Sequence, residues 1–162
     1  MTRRNWRMGW MLWLAASAML LSVGCGGSAF YSATPPGFVE LEDQEPDYSY
    51  RATSADGVVV AVREIEHEPK GDQEFWVQAI QNRMRERAGY ALLATKEVAT
   101  KSGLKGTQLQ FGHDEKGQSM LYTITVFVTE DHIFLVEFGG TKEEMTRQAG
   151  HLAWVIENFR LA

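Results

Sequence analysis

The chain has 162 residues, 44% of them hydrophobic, a formal net charge of -5 and one cysteine. This composition predicts a globular domain with one core and excludes an internal disulfide. The charge falls from -5 to -8 if an N-terminal segment carrying Arg3, Arg4 and Arg7 is removed, so we expect no nucleic-acid binding.

An apolar run from Met8 to Val23 follows these arginines and leads to Cys25. At about sixteen residues it suits a signal peptide and is short for a bilayer span of about 20. The small Gly24 before Cys25 resembles bacterial lipoprotein signals, although Ser22 stands where Leu is usual. The resemblance implies that residues 1–24 are a signal peptide and that Cys25 receives a diacylglycerol with acyl chains such as palmitate.

Three alternatives compete with lipid attachment. Ala16-Ser17-Ala18 has the form of an ordinary cleavage site but lies inside the apolar run. Thr2-Arg3-Arg4 resembles a twin-arginine export signal, with Arg7 interrupting the apolar positions that should follow. An uncleaved membrane anchor is the third. Gly26, where some enteric lipoproteins carry Asp, favours a periplasm-facing outer-membrane location over the inner membrane.

Residues 25–37 contain the lipidated cysteine and a small, polar, proline-containing stretch without apolar periodicity. This composition predicts a flexible tether reaching up to roughly 40 Å at about 3.3 Å per residue. The pair Phe30-Tyr31 has two possible locations, the lipid headgroups or the domain surface. The folded domain is expected to span residues 38–162 as a single unit.

The first half of this domain predicts a hairpin and a helix. Tyr48–Ser54 and Val58–Glu66 flank Asp56-Gly57, a pair that favours a tight primed turn. Asp72 is a suitable N-cap for a helix that ends at Gly89. One face of that helix is apolar and is expected to pack on a sheet, and it carries Phe75, Trp76, Ala79, Ile80 and Met84.

The second half predicts strands followed by a helix. The extended segments are Leu92–Thr100, Thr107–Gly112, Ser119–Thr129 and His132–Phe138. Turn signals at 114–117 and 130–131 join the last three into a meander, and the bulk on both faces of Ser119–Thr129 predicts a central strand. After Gly139-Gly140, Thr141 and Glu144 form a capping box that opens a helix. Hairpin-linked strands without regular strand–helix alternation indicate an α+β fold.

The Asp56-Gly57 hairpin and the closing blocks 134–141 and 156–160 resemble the superfamily named for the PsbP extrinsic protein of photosystem II. That superfamily also includes a nuclear-import Ran-binding protein and DcrB-type bacterial lipoproteins. The resemblance implies an antiparallel sheet between helices, an α/β/α sandwich, used as a non-catalytic accessory or binding module. The matching positions are packing and capping residues, so the resemblance assigns no functional residue.

Four histidines occur, and their spacing predicts no metal motif. The densest set of possible ligands is Glu64–Glu68, whose three carboxylates would project together with His67 on the other face. A solvated acidic strand end is favoured over a weak divalent-cation site. We expect His113 in a turn, His132 at an exposed strand start and His151 at the surface or its boundary.

The remaining candidates have structural alternatives that we favour. Ser102–Gly106, with Lys101 and Lys105, is more typical of a hairpin connection than of an anion-binding loop. Trp76 and Trp154 are expected to pack between helix and sheet rather than form a binding surface. No nucleophile elbow or phosphate loop is present in the sequence, so we assign no catalytic residue.

These observations predict a lipid-anchored cell-envelope protein with a non-catalytic binding or accessory domain and no cofactor. Its expected partners are the membrane, through lipid on Cys25, and an envelope protein. One alternative is a metal- or small-ligand-binding module that uses Glu64–Glu68. A less favoured alternative is a hydrolase whose acid/base pair comes from Asp, Glu or His residues brought together by folding.

Overall fold

The computed structural model describes residues 27–42 and 45–162. Cys25 and residues 1–24 lie outside the described residues, so the signal peptide and the lipidation site remain predictions. Within the described part of the chain, no helix combines the length and the apolar character needed to cross a membrane.

Nine strands and three helices make up the described fold. The strands are β1 (Phe30–Tyr31), β2 (Phe38–Glu40), β3 (Tyr50–Ser54), β4 (Val59–Glu66), β5 (Ala91–Ala99), β6 (Lys105–Glu115), β7 (Gln118–Val128), β8 (His132–Thr141) and β9 (Arg160–Leu161). The helices are α1 (Gln73–Ala88), α2 (Lys142–Arg147) and α3 (Ala149–Asn158).

Strands β2 to β8 form one antiparallel sheet in the order β2-β3-β4-β8-β7-β6-β5, and β1 pairs separately with β9. Helix α1 packs on one sheet face, over apolar side chains that include Leu109, Phe111 and Ile124. Helix α3 packs on the other face, over a cluster that includes Val60 and Val136. The predicted α+β fold with a sheet between helices is confirmed, as is the central position of Ser119–Thr129, which forms most of β7.

The turns differ from expectation in their geometry. Between β3 and β4 only Gly57 has a positive φ, of 82°, so Asp56-Gly57 does not form the expected two-residue primed turn. Ser54 N–H instead bonds to Val58 C=O at 2.9 Å, which closes a three-residue loop. The primed geometry occurs between β6 and β7, where Lys116 (φ 50°) and Gly117 (φ 82°) are both left-handed.

Helix α1 has the predicted caps. The Asp72 carboxylate accepts a hydrogen bond from Phe75 N–H at 2.8 Å, and Gly89 ends the helix with φ 69°. Trp76, Ile80 and Met84 contact the sheet as expected. Phe75 does not, since it is 50% exposed, and Val77 packs on the sheet instead. The helix is therefore rotated so that the stripe beginning at Trp76 faces inward.

The C-terminal helix begins where predicted but is broken in two. Thr141 Oγ1 accepts from Glu144 N–H at 3.3 Å, as in a capping box. The Glu144 carboxylate lies against Arg147 instead of returning to the Thr141 N–H. Gln148 separates α2 from α3, and Gly139-Gly140, expected as a turn, lies within β8.

The segment before β2 is folded onto the domain instead of forming a free tether. Phe30 is buried, with its ring stacked on Phe159 at 5.6 Å between centroids. The Ala29 N–H lies 3.3 Å from each carboxylate oxygen of Glu64. Burial of a phenylalanine ring in an aromatic cluster stabilises this position. The folded domain therefore begins near Ala29, not Phe38, and Phe30 rests on the domain.

Candidate functional site

An open region lies on the α1 side of the sheet. Helix α1 crosses β5, β6 and β7, so β3, β4 and part of β8 are left beside it. Two adjoining cavities follow this edge. The first, which we call the sheet groove, has a volume of about 350 Å³, and its lining includes Tyr48, Arg51, Ala61, Tyr90, Tyr122 and Glu137.

The second cavity, the helix chamber, lies between α1 and the sheet and has a volume of about 320 Å³. Its lining includes Arg63, Arg83, Met84 and Arg87. Tyr122 and Glu137 line both spaces, so these two side chains stand between the sheet groove and the helix chamber.

Glu137 is the buried centre of a polar network whose other members are partly exposed. Its side chain lies in β8 and the residue is only 4% exposed. Oε1 pairs with Arg63 Nε at 2.9 Å, and Oε2 accepts a hydrogen bond from the Tyr122 hydroxyl. Arg63 also donates through Nη2 to the Tyr48 hydroxyl, and its Cζ lies 4.2 Å from the Tyr48 ring centroid. We call Tyr48, Arg63, Tyr122 and Glu137 the Glu137 network.

The strand register brings this network together. Ala61 is opposite Glu137 on β4 and Ile124 is opposite it on β7. Arg63 and Tyr122 are two residues from these positions, so they reach Glu137 as diagonal neighbours on the same sheet face. No local sequence motif links them, because they belong to three different strands.

Gly139 makes room for the Tyr122 ring. The two residues are directly opposite across β7 and β8. A Cβ added at Gly139 would lie 2.8 Å from Tyr122 Cδ2, closer than side-chain carbons normally approach. The missing side chain at residue 139 therefore lets the phenol lie over the strand with its hydroxyl directed to Glu137.

Burial raises the pKa of Glu137 above its ordinary value of 4.5, while the Tyr122 hydrogen bond and the Arg63 charge partly offset this effect. Burial also raises the pKa of Tyr122, and the nearby Glu137 charge adds to the shift. Tyr122 consequently remains a protonated hydrogen-bond donor. A buried carboxylate is costly unless it is paired and hydrogen-bonded, and the network supplies both kinds of contact.

The two cavities are locally cationic. Together their linings contain four arginines (Arg51, Arg63, Arg83 and Arg87) and two glutamates (Glu45 and Glu137). Arg51 pairs with Glu45 at 2.6 Å at the rim, and Arg63 pairs with Glu137. Arg83 and Arg87, both exposed on α1, add positive charge to a chain whose net charge is -5. The region thus combines aromatic rings with an excess of positive charge.

Within the Glu64–Glu68 segment, the Glu64 carboxylate is engaged in other contacts, whereas Glu66 and Glu68 are exposed. Besides its bond to Ala29, Glu64 Oε1 lies 3.4 Å from His132 Nε2. Within residues 27–42 and 45–162, no group of three or more His, Cys, Asp or Glu side chains is placed to hold a metal ion. The segment joins the start of the domain to the sheet.

The histidines occupy structural positions. His67 is 6% exposed, and its Nδ1 lies 2.7 Å from the Thr129 carbonyl oxygen while Nε2 accepts from Gly71 N–H at 3.0 Å. His113 lies inside β6 against Tyr90, so its expected place in a turn is wrong. His132 begins β8 but is only partly exposed, and His151 is partly buried beside Phe38.

The glycine-rich loop and the two tryptophans also have structural roles. Residues 100–104 connect β5 to β6, so Ser102–Gly106 covers the end of a hairpin loop and the start of β6. The neighbouring Lys101 N–H bonds to the Glu157 carbonyl at 2.8 Å. Trp76 packs on the sheet beneath α1, and Trp154 packs against the core under α3. The favoured interpretations of these three features are confirmed.

The Glu137 network was missed by motif analysis. Its signal in the sequence is Glu137 within Phe134-Leu135-Val136-Glu137-Phe138, since a charge inside an apolar strand is rarely buried without a partner. The identity of that partner depends on strand order, which places β4 rather than β3 next to β8.

The fold is that of the PsbP-like proteins, as the resemblance implied. LpqN of Mycobacterium tuberculosis has a similar structure, with a TM-score of 0.63 and 11% identity over 86% of this chain and 87% of that chain. The Ran-binding protein Mog1p of Saccharomyces cerevisiae has a TM-score of 0.58 and 13% identity, over 82% of this chain and 90% of that chain. Cyanobacterial PsbP of Synechocystis has a TM-score of 0.51 and 14% identity, over 88% of this chain and 99% of that chain.

At the level of sequence, no protein-family model and no curated protein matches this chain. The similarity to the three solved structures is therefore one of fold.

Proposed function

We propose that this protein is a lipid-anchored component of the bacterial cell envelope whose domain is a non-catalytic binding module. In this proposal the sheet groove and the helix chamber receive an acidic segment of an envelope protein partner. The observation that carries the proposal is the cationic, aromatic lining of these cavities, with four arginines against two glutamates, in a protein of net charge -5. Opposite charge steers partners to a surface and aromatic side chains supply contact area.

The expected location supports this function. The sequence pattern ending at Cys25 resembles a lipoprotein signal, and Gly26 favours the outer membrane over the inner one. LpqN, which has a similar fold, is described as involved in cell envelope biogenesis. Mog1p, another protein of this fold, binds Ran, a protein partner. These comparisons favour an accessory role in the envelope.

The geometry of Glu137 favours binding over catalysis. Both carboxylate oxygens already have partners, one in Arg63 and the other in Tyr122. A general base needs a free oxygen within reach of the proton that it removes. Glu137 is therefore better suited to hold the arginine and the phenol in place than to act on a substrate.

The test is partner capture from intact cells with variants of α1. Cross-linking and quantitative mass spectrometry should recover one envelope protein in fixed proportion with the parent protein. The double change Arg83→Glu with Arg87→Glu reverses the charge of the helix chamber and should reduce that recovery at least tenfold. Arg85→Glu on the same helix, outside both cavity linings, is the matched control and should leave it unchanged. Equal recovery with all three proteins would contradict the proposal.

A further inference from the structure

The chain between the predicted lipid and the folded domain is very short. This inference rests on the proposed lipid anchor at Cys25. Only residues 26–28 separate Cys25 from Ala29, and four Cα–Cα steps span at most about 14 Å. Ala29 is held on both sides, by the Glu64 carboxylate at its N–H and by the Ala162 N–H at its carbonyl oxygen, at 2.9 Å. The domain must therefore lie directly against the bilayer, with β1 and β9 next to the anchor.

The exposed side chains of β1 and β9 suit that position. Tyr31 and Arg160 are register partners and share one face of this two-stranded ribbon, whereas Leu161 is the partner of Phe30 and lies at its other face. Tyr31 is 54% exposed and Leu161 is 41% exposed. The Arg160 Cζ lies 4.7 Å from the Tyr31 ring centroid. We call Tyr31, Arg160 and Leu161 the anchor-side patch. Tyrosine and arginine each combine an apolar body with a polar end, which suits the boundary between headgroups and acyl chains.

We propose that the anchor-side patch inserts into the headgroup layer of the phospholipid bilayer that holds the lipidated Cys25. The Arg160 guanidinium contacts lipid phosphates, and the Tyr31 ring and Leu161 side chain lie at the level where headgroups meet acyl chains. Lipid anchor and protein patch together then fix the orientation of the domain, instead of leaving it to rotate on a tether.

This orientation determines where the sheet groove points. On β4, Glu64 shares the α3 face with Val60 and Val62, because successive side chains alternate between faces. Ala61 and Arg63, which line the cavities, lie on the opposite face. The anchor attaches at the Glu64 end of β4, whereas the groove extends toward the Asp56-Gly57 turn. The groove therefore faces away from the membrane, open to the aqueous compartment.

The experiment uses the full-length protein, purified with its lipid and placed in phosphatidylethanolamine–phosphatidylglycerol vesicles. Mass spectrometry first establishes the lipid on Cys25, which leaves an introduced cysteine as the only free thiol. A fluorophore is attached at Ala162→Cys, next to the anchor-side patch, or at Asp56→Cys as the matched control. Asp56 is exposed in the turn that precedes β4, and Val59, the first residue of β4, lies about 17 Å along the strand from Glu64 at about 3.3 Å per residue. Headgroup-attached nitroxide lipids then quench fluorophores close to the membrane.

Quenching should be several-fold stronger at residue 162 than at residue 56. The double change Tyr31→Ser with Leu161→Ser should lower quenching at residue 162 at least twofold, with an unchanged circular dichroism spectrum. Equal quenching at the two sites overturns the orientation, and no effect of the double change overturns the lipid contact. Absence of lipid on Cys25 overturns the anchor itself, together with this inference, and is distinguished by the initial mass measurement.

Discussion

Glu137 is held inside the sheet by contacts from both neighbouring strands. Arg63 of β4 neutralises one carboxylate oxygen and Tyr122 of β7 donates to the other. Arg63 is itself covered by Tyr48, so the charge pair is shielded on two sides. Each member of the network therefore depends on its neighbours for its polar contacts.

Replacing Glu137 by leucine should destabilise the fold by about 3 kcal/mol, because it leaves the Arg63 guanidinium beside an apolar side chain. Glu137→Gln keeps the shape and should cost about 1 kcal/mol, since an amide still bonds to both neighbours. Urea denaturation monitored by circular dichroism measures the free energy of unfolding of both variants. An unchanged midpoint for Glu137→Leu would show that the network contributes nothing to stability.

Glu137 also predicts how the stability of the fold depends on pH. The pKa of Glu137 is raised above 4.5 in the folded state, so the folded protein binds its proton more tightly than the unfolded chain does. The stability contribution is full below pH 4.5 and is lost as pH rises through the folded pKa. Relative to Glu137→Gln, the parent protein should therefore lose stability on going from pH 4.5 upward. Paired denaturation curves across this range test the sign, and a relative gain would contradict it.

Gly139→Ala should destabilise the protein by about 2 kcal/mol, because the added methyl group meets the Tyr122 ring and displaces it from Glu137. Gly150→Ala is the matched control. A Cβ there has no atom within 4 Å, and the residue lies in α3, so alanine should stabilise by about 0.5 kcal/mol. Thermal unfolding of both variants measures the contrast; similar shifts would rule out crowding at residue 139.

At the residue scale, only part of this site is contained in the sequence. The unusual environment of Glu137 is visible from its apolar neighbours in the chain. Arg63 and Tyr122 are 74 and 15 residues away and carry no motif that connects them to it. Their meeting depends on the pairing of β4 and β7 on either side of β8, which is a property of the whole sheet.

Among the elements, the pairing of β1 with β9 departs most from the sequence prediction, which was a flexible tether. Small and polar residues around Phe30-Tyr31 favour a tether, yet the Phe30 ring contacts Phe134 and Phe159 from distant parts of the chain. Local composition indicates flexibility correctly for isolated chains. Local composition contains no information on an aromatic cluster that is formed by residues distant in the sequence.

Phe30→Ala should destabilise the domain by about 3 kcal/mol, because it leaves a cavity between Phe134 and Phe159. Tyr31→Ala is the adjacent control and should cost less than about 1 kcal/mol, because Tyr31 is 54% exposed. Chemical denaturation compares the two. If Phe30→Ala matched Tyr31→Ala, the segment would behave as the tether that its composition favours.

The caps and turns were predicted with different success. Asp72, Gly89 and Thr141 act within a few residues of their own positions, so their roles follow from local sequence. The break at Gln148 and the extension of β8 through Gly139-Gly140 do not. The second arises because β7 continues to pair with these glycines, and Tyr122 occupies the space that Gly139 leaves.

At the scale of the whole molecule, charge and anchor predict how the protein is released from membranes. The net charge of -5, or -8 without the N-terminal arginines, gives little electrostatic attraction to an anionic bilayer. The parent protein should therefore resist washing with high salt and be released by detergent. Cys25→Ala should move to the soluble fraction. Cell fractionation with immunoblotting measures both, and membrane retention of Cys25→Ala would contradict lipid attachment.

The sequence by itself determined the fold class, the capped helices, the strand segments and the lack of an internal disulfide. Each of these depends on periodicity, on capping residues or on composition, all of which act over short distances along the chain. Only the tertiary structure decided that Phe30 belongs to the core, that α1 leaves part of the sheet open, and that Arg63, Tyr122 and Glu137 meet there. These features depend on strand order and on helix placement, which bring together residues far apart in the chain.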